Sequence, residues 1–377
     1  MFSSMAIAAA LALSASAATP TYDHAPPPAP DFSAERDPFE LDWTSPAPGI
    51  WIGVRPQSAR LPVTGTSVVV IGETGVLVFD GGGTPLQAER VAEKIRAETD
   101  LPVTHIAISH WHGDHHLGIG PLREAWPEAV TVSHSFTRAV MDSTLMDSAR
   151  NPDATPPGAF PAQLEGALAN PDLAAHSRAW LEQALVWAEL IDEQVRISRI
   201  PEIDQVFEDS LEIDLGGRVV SLVHLGHGNT KGDIMLHIPD ARMIAAGDAV
   251  VHPTPYGFFS YPESWAESLR RLREFDVDLI VPGHGAPMTD WAYVDLLTET
   301  LQSIADQTAA LVAEGHDLDG VRENFDWSAL EPRFTGGDPF WTGRFDVWFK
   351  RPIIEAAWRL ATGLDNEELV PHEHGVE

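Results

Sequence analysis

The sequence contains no cysteine. Disulfides, thiolate nucleophiles, iron–sulfur clusters and cysteine-ligated zinc are therefore excluded. Basic charge is scarce as well: 24 Lys and Arg stand against 56 Asp and Glu, a formal net charge of −32. Phosphate neutralisation needs a basic footprint, so no nucleic-acid partner is expected. Long apolar runs are also missing. The one apolar stretch, Met5 to Ala18, is shorter than the ~20 residues a membrane-spanning helix requires, so no integral membrane segment is expected. No Gly-x-Ser-x-Gly elbow occurs either, which removes the usual setting of a serine nucleophile.

What is present is a chain of 377 residues, 44% of them hydrophobic, enough for one large or two ordinary domains with a normal core. Residues 1–18 end in Ala15-Ser16-Ala17 and read as a signal peptide, although no Lys or Arg precedes the apolar run. That predicts a periplasmic or secreted protein. Residues 19–48 are rich in Pro, Ala and acidic side chains and read as a spacer. Regular structure is expected from about Ile50. The β-branched runs Thr66–Gly72 and Val76–Phe79 flank Glu73-Thr74-Gly75, a hairpin signal, and a helical pattern covers Pro85–Glu98. Strands are also expected at Val103–Ser109, Leu211–Leu215, Val219–Leu225, Asp233–Ile238, Met243–Ala246 and Leu279–Val281. Residues 140–200 read as a helical insertion. Residues 291–377 read as a helical extension, whose Trp348, Phe349 and Trp358 fit plain packing, a cap over a pocket or a dimer contact.

The chemistry concentrates in Ser109-His110-Trp111-His112-Gly113-Asp114-His115-His116. It follows a predicted strand and contains His-x-His-x-Asp-His. Neutral imidazole and carboxylate are the ligands zinc takes where cysteine is absent. His110 and His112 lie two apart and can point to one side of a loop, leaving Asp114 and His115 to address a second ion. Three more ligand types follow predicted strands in glycine-flanked turns: His227 in Gly226-His227-Gly228, Asp248 in Gly247-Asp248, and His284 in Gly283-His284-Gly285.

These residues resemble the metallo-β-lactamase superfamily of metal-dependent hydrolases over roughly residues 50–290, and Asp80 in Phe79-Asp80-Gly81-Gly82 resembles its preceding acidic motif. The resemblance implies an α/β fold, a four-layer αβ/βα sandwich over residues 49–290, with the metal site at one edge. It implies two Zn2+, with iron or manganese as alternatives. His110, His112 and His227 would hold the first metal, and Asp114, His115 and His284 the second. Asp248 would bridge them, as in glyoxalase-type and lactonase-type members. A hydroxide held between the metals would attack a small ester, lactone, thioester or β-lactam. Asp114 would also guide a proton to the leaving group, and Asp80 would orient a ligand histidine or simply make a turn. Tyr256, Asn229 and Lys231 are candidate substrate contacts, Tyr256 equally a packing residue. Two other classes stay open: a mononuclear iron dioxygenase of the same fold, and a non-catalytic metal-binding protein with a blocked pocket. The sequence does not choose the substrate or the oligomeric state.

Overall fold

The computed structural model describes residues 26–27, 37–56, 64–150, 156–171, 173 and 175–368. The expected signal peptide and much of the expected spacer lie outside these residues. Seven strands form one sheet in the order β1 to β7: Asp42–Ala47, Ile50–Val54, Ser67–Ile71, Val76–Phe79, Val103–Ala107, Val130–His134 and Gln205–Phe207. Five form the second, in the order β12-β11-β10-β9-β8: β8 Ser210–Asp214, β9 Val219–Val223, β10 Met235–Ile238, β11 Met243–Val251 and β12 Leu279–His284. In the first sheet β1 to β4 pair antiparallel and β4 to β7 parallel. In the second, β11 and β12 form the parallel pair.

Side-chain alternation along the strands builds the layers. Val68, Val70, Leu77 and Phe79 face Leu222, Leu236, Met243 and Ala245 of the other sheet, forming a dry central core. Val69, Val76 and Val78 point the opposite way and pack on Val91 and Ile95 of α1, Pro85–Glu98. That helix starts where Thr84 accepts from the Gln87 amide and Pro85 supplies a preset φ. On the far side, Ile244 and Ala246 pack on α9, Pro262–Leu272, and α10, Ala292–Ala313. The motif loop carries the short α2, Gly113–His116, and α3, Gly120–Ala125. The helices α4 to α8 are Ser135–Met141, Asp147–Arg150, Ala159–Leu168, Ala175–Val186 and Ala188–Ile197. The C-terminal region holds α11 to α14: Leu318–Asn324, Glu331–Thr335, Pro339–Phe345 and Arg351–Ala361. A π-helical turn, Asp346–Lys350, joins the last two. The architecture is an αβ/βα sandwich, as expected.

Two boundaries differ from the sequence reading. The stretch taken as spacer up to residue 48 ends instead in strand β1, which pairs with β2. Its proline lies on an edge strand, where a missing amide is tolerated, and Trp43 packs against the α1 side of the sheet. Strand β11 runs on to Val251, so Asp248 sits within a strand rather than after one. Among the described residues, no helix is long and apolar enough to cross a membrane.

Candidate metal centre and cavity

Strand β5 delivers the motif loop to the rim between the two sheets. His110 and His115 are fully buried and His112 nearly so. His110 Nε2 lies 2.8 Å from His112 Nδ1 and 3.6 Å from Asp248 Oδ2. His115 Nε2 lies 3.2 Å from Asp248 Oδ1, 3.3 Å from His284 Nε2 and 3.4 Å from Asp114 Oδ2. His284 Nε2 is 3.0 Å from Asp114 Oδ2 and 3.4 Å from Asp248 Oδ1. Two ligand groups result, His110–His112–Asp248 and Asp114–His115–His284, each with its donor atoms within 4.8 Å of one another. Asp248 turns one oxygen toward each.

This donor set fits divalent cations. Burial holds His110 well below the ordinary imidazole range, with the charge of His115 adding to it, and burial brings His112 down to about 4. Both rings are thus neutral, the form a metal takes. Burial alone would raise Asp248, but the charges of His284 and His115 outweigh it and hold the carboxylate well below its ordinary range. Asp114 is held low in the same way, by His115 and then His284. Asp248 Oδ1 is buried without a well-formed hydrogen bond, an arrangement that is costly unless a cation compensates it.

Backbone and neighbours hold the ligands in place. Asp80, buried at the end of β4 with φ +57°, accepts from the Ser109 amide at 2.7 Å through Oδ1. Its Oδ2 lies 2.8 Å from His115 Nδ1, leaving Nε2 for the centre. It is therefore a positioning residue as well as a turn former. Gly283 abuts the same site: a Cβ there would lie 2.1 Å from Asp248 Oδ1, so only glycine fits.

The structure does not bring His227 to this centre. The Asp233 carboxylate accepts from Thr230 N at 3.1 Å and Thr230 Oγ1 at 2.6 Å, curling the turn. Gly226, with φ +120°, allows the chain to enter it. The turn thus places His227 outward, exposed against the Tyr261 ring, and Asn229 inward, fully buried. His227 lines a separate cleft with His134, His224 and Lys231. We expect His227→Ala to retain the wild-type metal content by elemental analysis; a loss of one ion per chain would return His227 to the ligand set.

The other candidates divide. Asn229 Nδ2 donates to the Tyr256 carbonyl at 2.6 Å, so it braces the loop that carries Tyr256. Tyr256 packs edge-on to His112 at 5.1 Å and lines the cavity over the centre. Burial, then the charges of Asp114 and Asp248, push its pKa up, so its hydroxyl stays protonated. Lys231 is turned away: its ammonium pairs with Asp365 and its amide donates to Glu367 at 2.7 Å. Glu367 also accepts from Trp111 Nε1 at 2.5 Å, tying the C-terminal segment to the motif loop.

The cavity over the centre has a volume of about 550 Å3. Sequence reasoning missed Arg55, Trp341 and Arg344 in its wall, and Trp348 shows that the C-terminal extension caps the pocket. No described residue of the 140–200 insertion lines it; α8 instead braces α1, where Gln194 accepts from the Leu86 amide at 2.8 Å. The described residues of the insertion do not block the pocket.

Comparison with known proteins agrees with this geometry. The chain is 25% identical over 285 residues to a linear primary-alkylsulfatase of Pseudomonas sp., a match covering 71% of this chain and 50% of that protein. It is 31% identical over 85 residues to thioesterase pkgB of Emericella nidulans, covering 22% of this chain and 25% of the other. Among solved structures, the sec-alkylsulfatase Pisa1 of Pseudomonas sp. superposes with a TM-score of 0.60 at 11% identity, over 86% of this chain and 51% of that one. The chain spans about half the length of these alkylsulfatases. The profile of the Metallo-beta-lactamase superfamily matches residues 60–284, more than half of the sequence. The chain belongs to the metallo-β-lactamase superfamily.

Proposed function

We propose that this chain is an exported, binuclear zinc hydrolase of a small ester-type substrate: a carboxyl or sulfate ester, a lactone, a thioester or a β-lactam. The observation that carries the reading is the pair of ligand groups sharing Asp248 beneath an open cavity. His110, His112 and Asp248 would hold one cation, and Asp114, His115 and His284 the other. Two such cations supply a water that is deprotonated at neutral pH and a Lewis acid for the scissile group.

The chain's own residues do the rest. Asp80 fixes the tautomer of His115 by accepting a hydrogen bond from its Nδ1–H. Tyr256, kept protonated beside His112, is placed to donate to oxygen charge developing on the substrate. Asp114, at the cavity wall, is placed to pass a proton to the leaving group. Hydrolysis then consumes one water and breaks one bond: the ester bond of an ester or lactone, the C–S bond of a thioester or the amide C–N bond of a β-lactam. The ligand group Asp114–His115–His284 speaks against the mononuclear iron reading, which leaves three buried or half-buried donors without a role.

Elemental analysis of protein purified without added metal tests this. Near two zinc ions per chain are expected, with hydrolysis lost on chelation and restored by zinc. About one iron per chain with oxygen consumption would replace the hydrolase reading. The N-terminal mass of the exported form checks the signal peptide: cleavage after Ala17 or Ala18 is expected, and an uncleaved Met1 in the cytosol removes export.

A further inference from the structure

The candidate ligand histidines of the motif loop are not all oriented by the same means. Ser109 Oγ lies 2.9 Å from His110 Nδ1, and Asp80 Oδ2 lies 2.8 Å from His115 Nδ1. An oxygen behind a ligand ring fixes its tautomer and its tilt. His112 has no such partner. Its Nδ1 faces His110 Nε2, and its buried Nε2 makes no hydrogen bond among the described residues. Two aromatic rings flank it instead, both edge-on: Trp111 at 4.5 Å between centroids and Tyr256 at 5.1 Å. The orientation of His112 therefore depends on what fixes those rings.

Tyr256 is held by the Asn229 amide at its carbonyl and lies 5.9 Å from the Trp348 ring. Trp111 has Phe259 on one side, 5.4 Å away, and its indole Nε1 donates to Glu367 Oε1 at 2.5 Å. Glu367 Oε2 accepts from the Lys231 amide at 2.7 Å. Residues 365–367 are themselves well anchored. Asn366 Nδ2 donates to the Ser260 carbonyl at 2.7 Å and the Ala356 carbonyl at 3.1 Å. Asp365 accepts from the Tyr261 hydroxyl at 2.8 Å and pairs with the Lys231 ammonium. Arg359 donates to the Asp365 carbonyl at 2.7 Å.

Glu367 is only 1% exposed. Burial pushes its pKa up to about 7, although the Trp111 indole and the Lys231 amide both favour the anion. An apolar side chain would fill this space without that desolvation cost, were packing the only requirement. What a carboxylate adds is a fixed acceptor for one indole N–H, on the residue that stands between two candidate metal ligands.

We propose that Glu367 is a positioning residue of the metal centre: through Trp111 it sets the tilt of His112 and so the cation affinity of His110, His112 and Asp248. This rests on the binuclear reading and deepens it, because the C-terminal extension then tunes the centre as well as capping the pocket.

The test is cobalt(II) binding to the full chain, read by competition with a chelator and by the visible absorption of the bound ion. Two ions are expected in the wild type. Glu367→Leu removes both acceptor oxygens at similar volume. It should weaken one of the two binding steps about tenfold, the lower end of what changing a ligand's outer partner costs, and alter the spectrum. Glu367→Gln keeps one acceptor and should fall between. Trp111→Phe keeps a ring beside His112 without the donor and should match Glu367→Leu; it carries the test where Glu367→Leu fails to fold. The double variant should be no weaker than either single one, since both cut the same link. Ile304→Val, in the core on the other side of the sandwich from Trp111, should lower the unfolding midpoint and leave cobalt binding at the wild-type level. Wild-type affinity and spectrum in Glu367→Leu, additive losses in the double variant, or an equal shift in Ile304→Val overturn the positioning role and leave the metal centre standing. A wild-type chain that binds fewer than two cobalt ions overturns the binuclear reading and this proposal with it.

Discussion

Asp248→Ala should abolish hydrolysis and strip the centre of metal. Its carboxylate is buried, with one oxygen 3.6 Å from His110 Nε2 and the other 3.2 Å from His115 Nε2 and 3.4 Å from His284 Nε2. Among the described residues no other carboxylate is shared in this way, so its loss weakens both groups at once. We expect zinc content to fall from near two ions to one or fewer, and kcat to drop at least about a thousandfold, or about 4 kcal/mol of transition-state stabilisation. Stability should fall as well, because a ligand bound only by the folded state stabilises it, by about 2.7 kcal/mol at a hundredfold excess over Kd. Asp248→Asn separates shape from charge: it keeps the volume next to Gly283 but removes the anion. Retention of two zinc ions and activity in Asp248→Ala would show that the two groups bind independently and that the shared position is incidental.

Phe349→Ala should be the most damaging change away from the metal ligands. Phe349 is fully buried in the π-helical turn, with ring centroids 5.2 Å from Phe345, 6.1 Å from Phe334 and 6.5 Å from Trp327. Truncating such a ring in a close-packed core costs about 3–5 kcal/mol. The same turn places Trp348 in the cavity wall, and the Trp348 carbonyl accepts from the Gly257 amide at 2.8 Å, next to Tyr256. Loosening it should therefore raise KM more than it lowers kcat, since the ligands on β5, β11 and β12 stay in place. Urea unfolding checks the stability claim: one cooperative transition at a lower midpoint with unchanged slope is expected. A separate early transition for the C-terminal helices would show instead that the extension folds as its own unit.

The motif loop was legible in the sequence because its ligands are close along the chain. His110, His112, Asp114 and His115 span six residues, so a strand end and one helical turn suffice to gather them. The hairpin of β3 and β4 and the helix over Pro85–Glu98 were legible for the same reason, since alternation and capping are local. Asp248 and His284 were legible as glycine-flanked acid and imidazole near strand ends, and β11 and β12, paired in parallel, carry them to one rim. His227 had the same outward marks and was misread. Its side chain is aimed by Asp233 six residues later and by the φ of Gly226, and neither is visible in residue type alone.

By itself, then, the sequence determined the family, the sandwich and most of the candidate ligand set, because those depend on periodicity and on short-range spacing. Tertiary structure alone decided which residues line the cavity over that set. Arg55 and Arg344 are far apart along the chain and carry no periodic or motif signal; they line one cavity because the C-terminal helices pack back over the edge of the first sheet. Side chains that meet through long-range packing leave no local trace, and the selectivity of this pocket is made of such meetings.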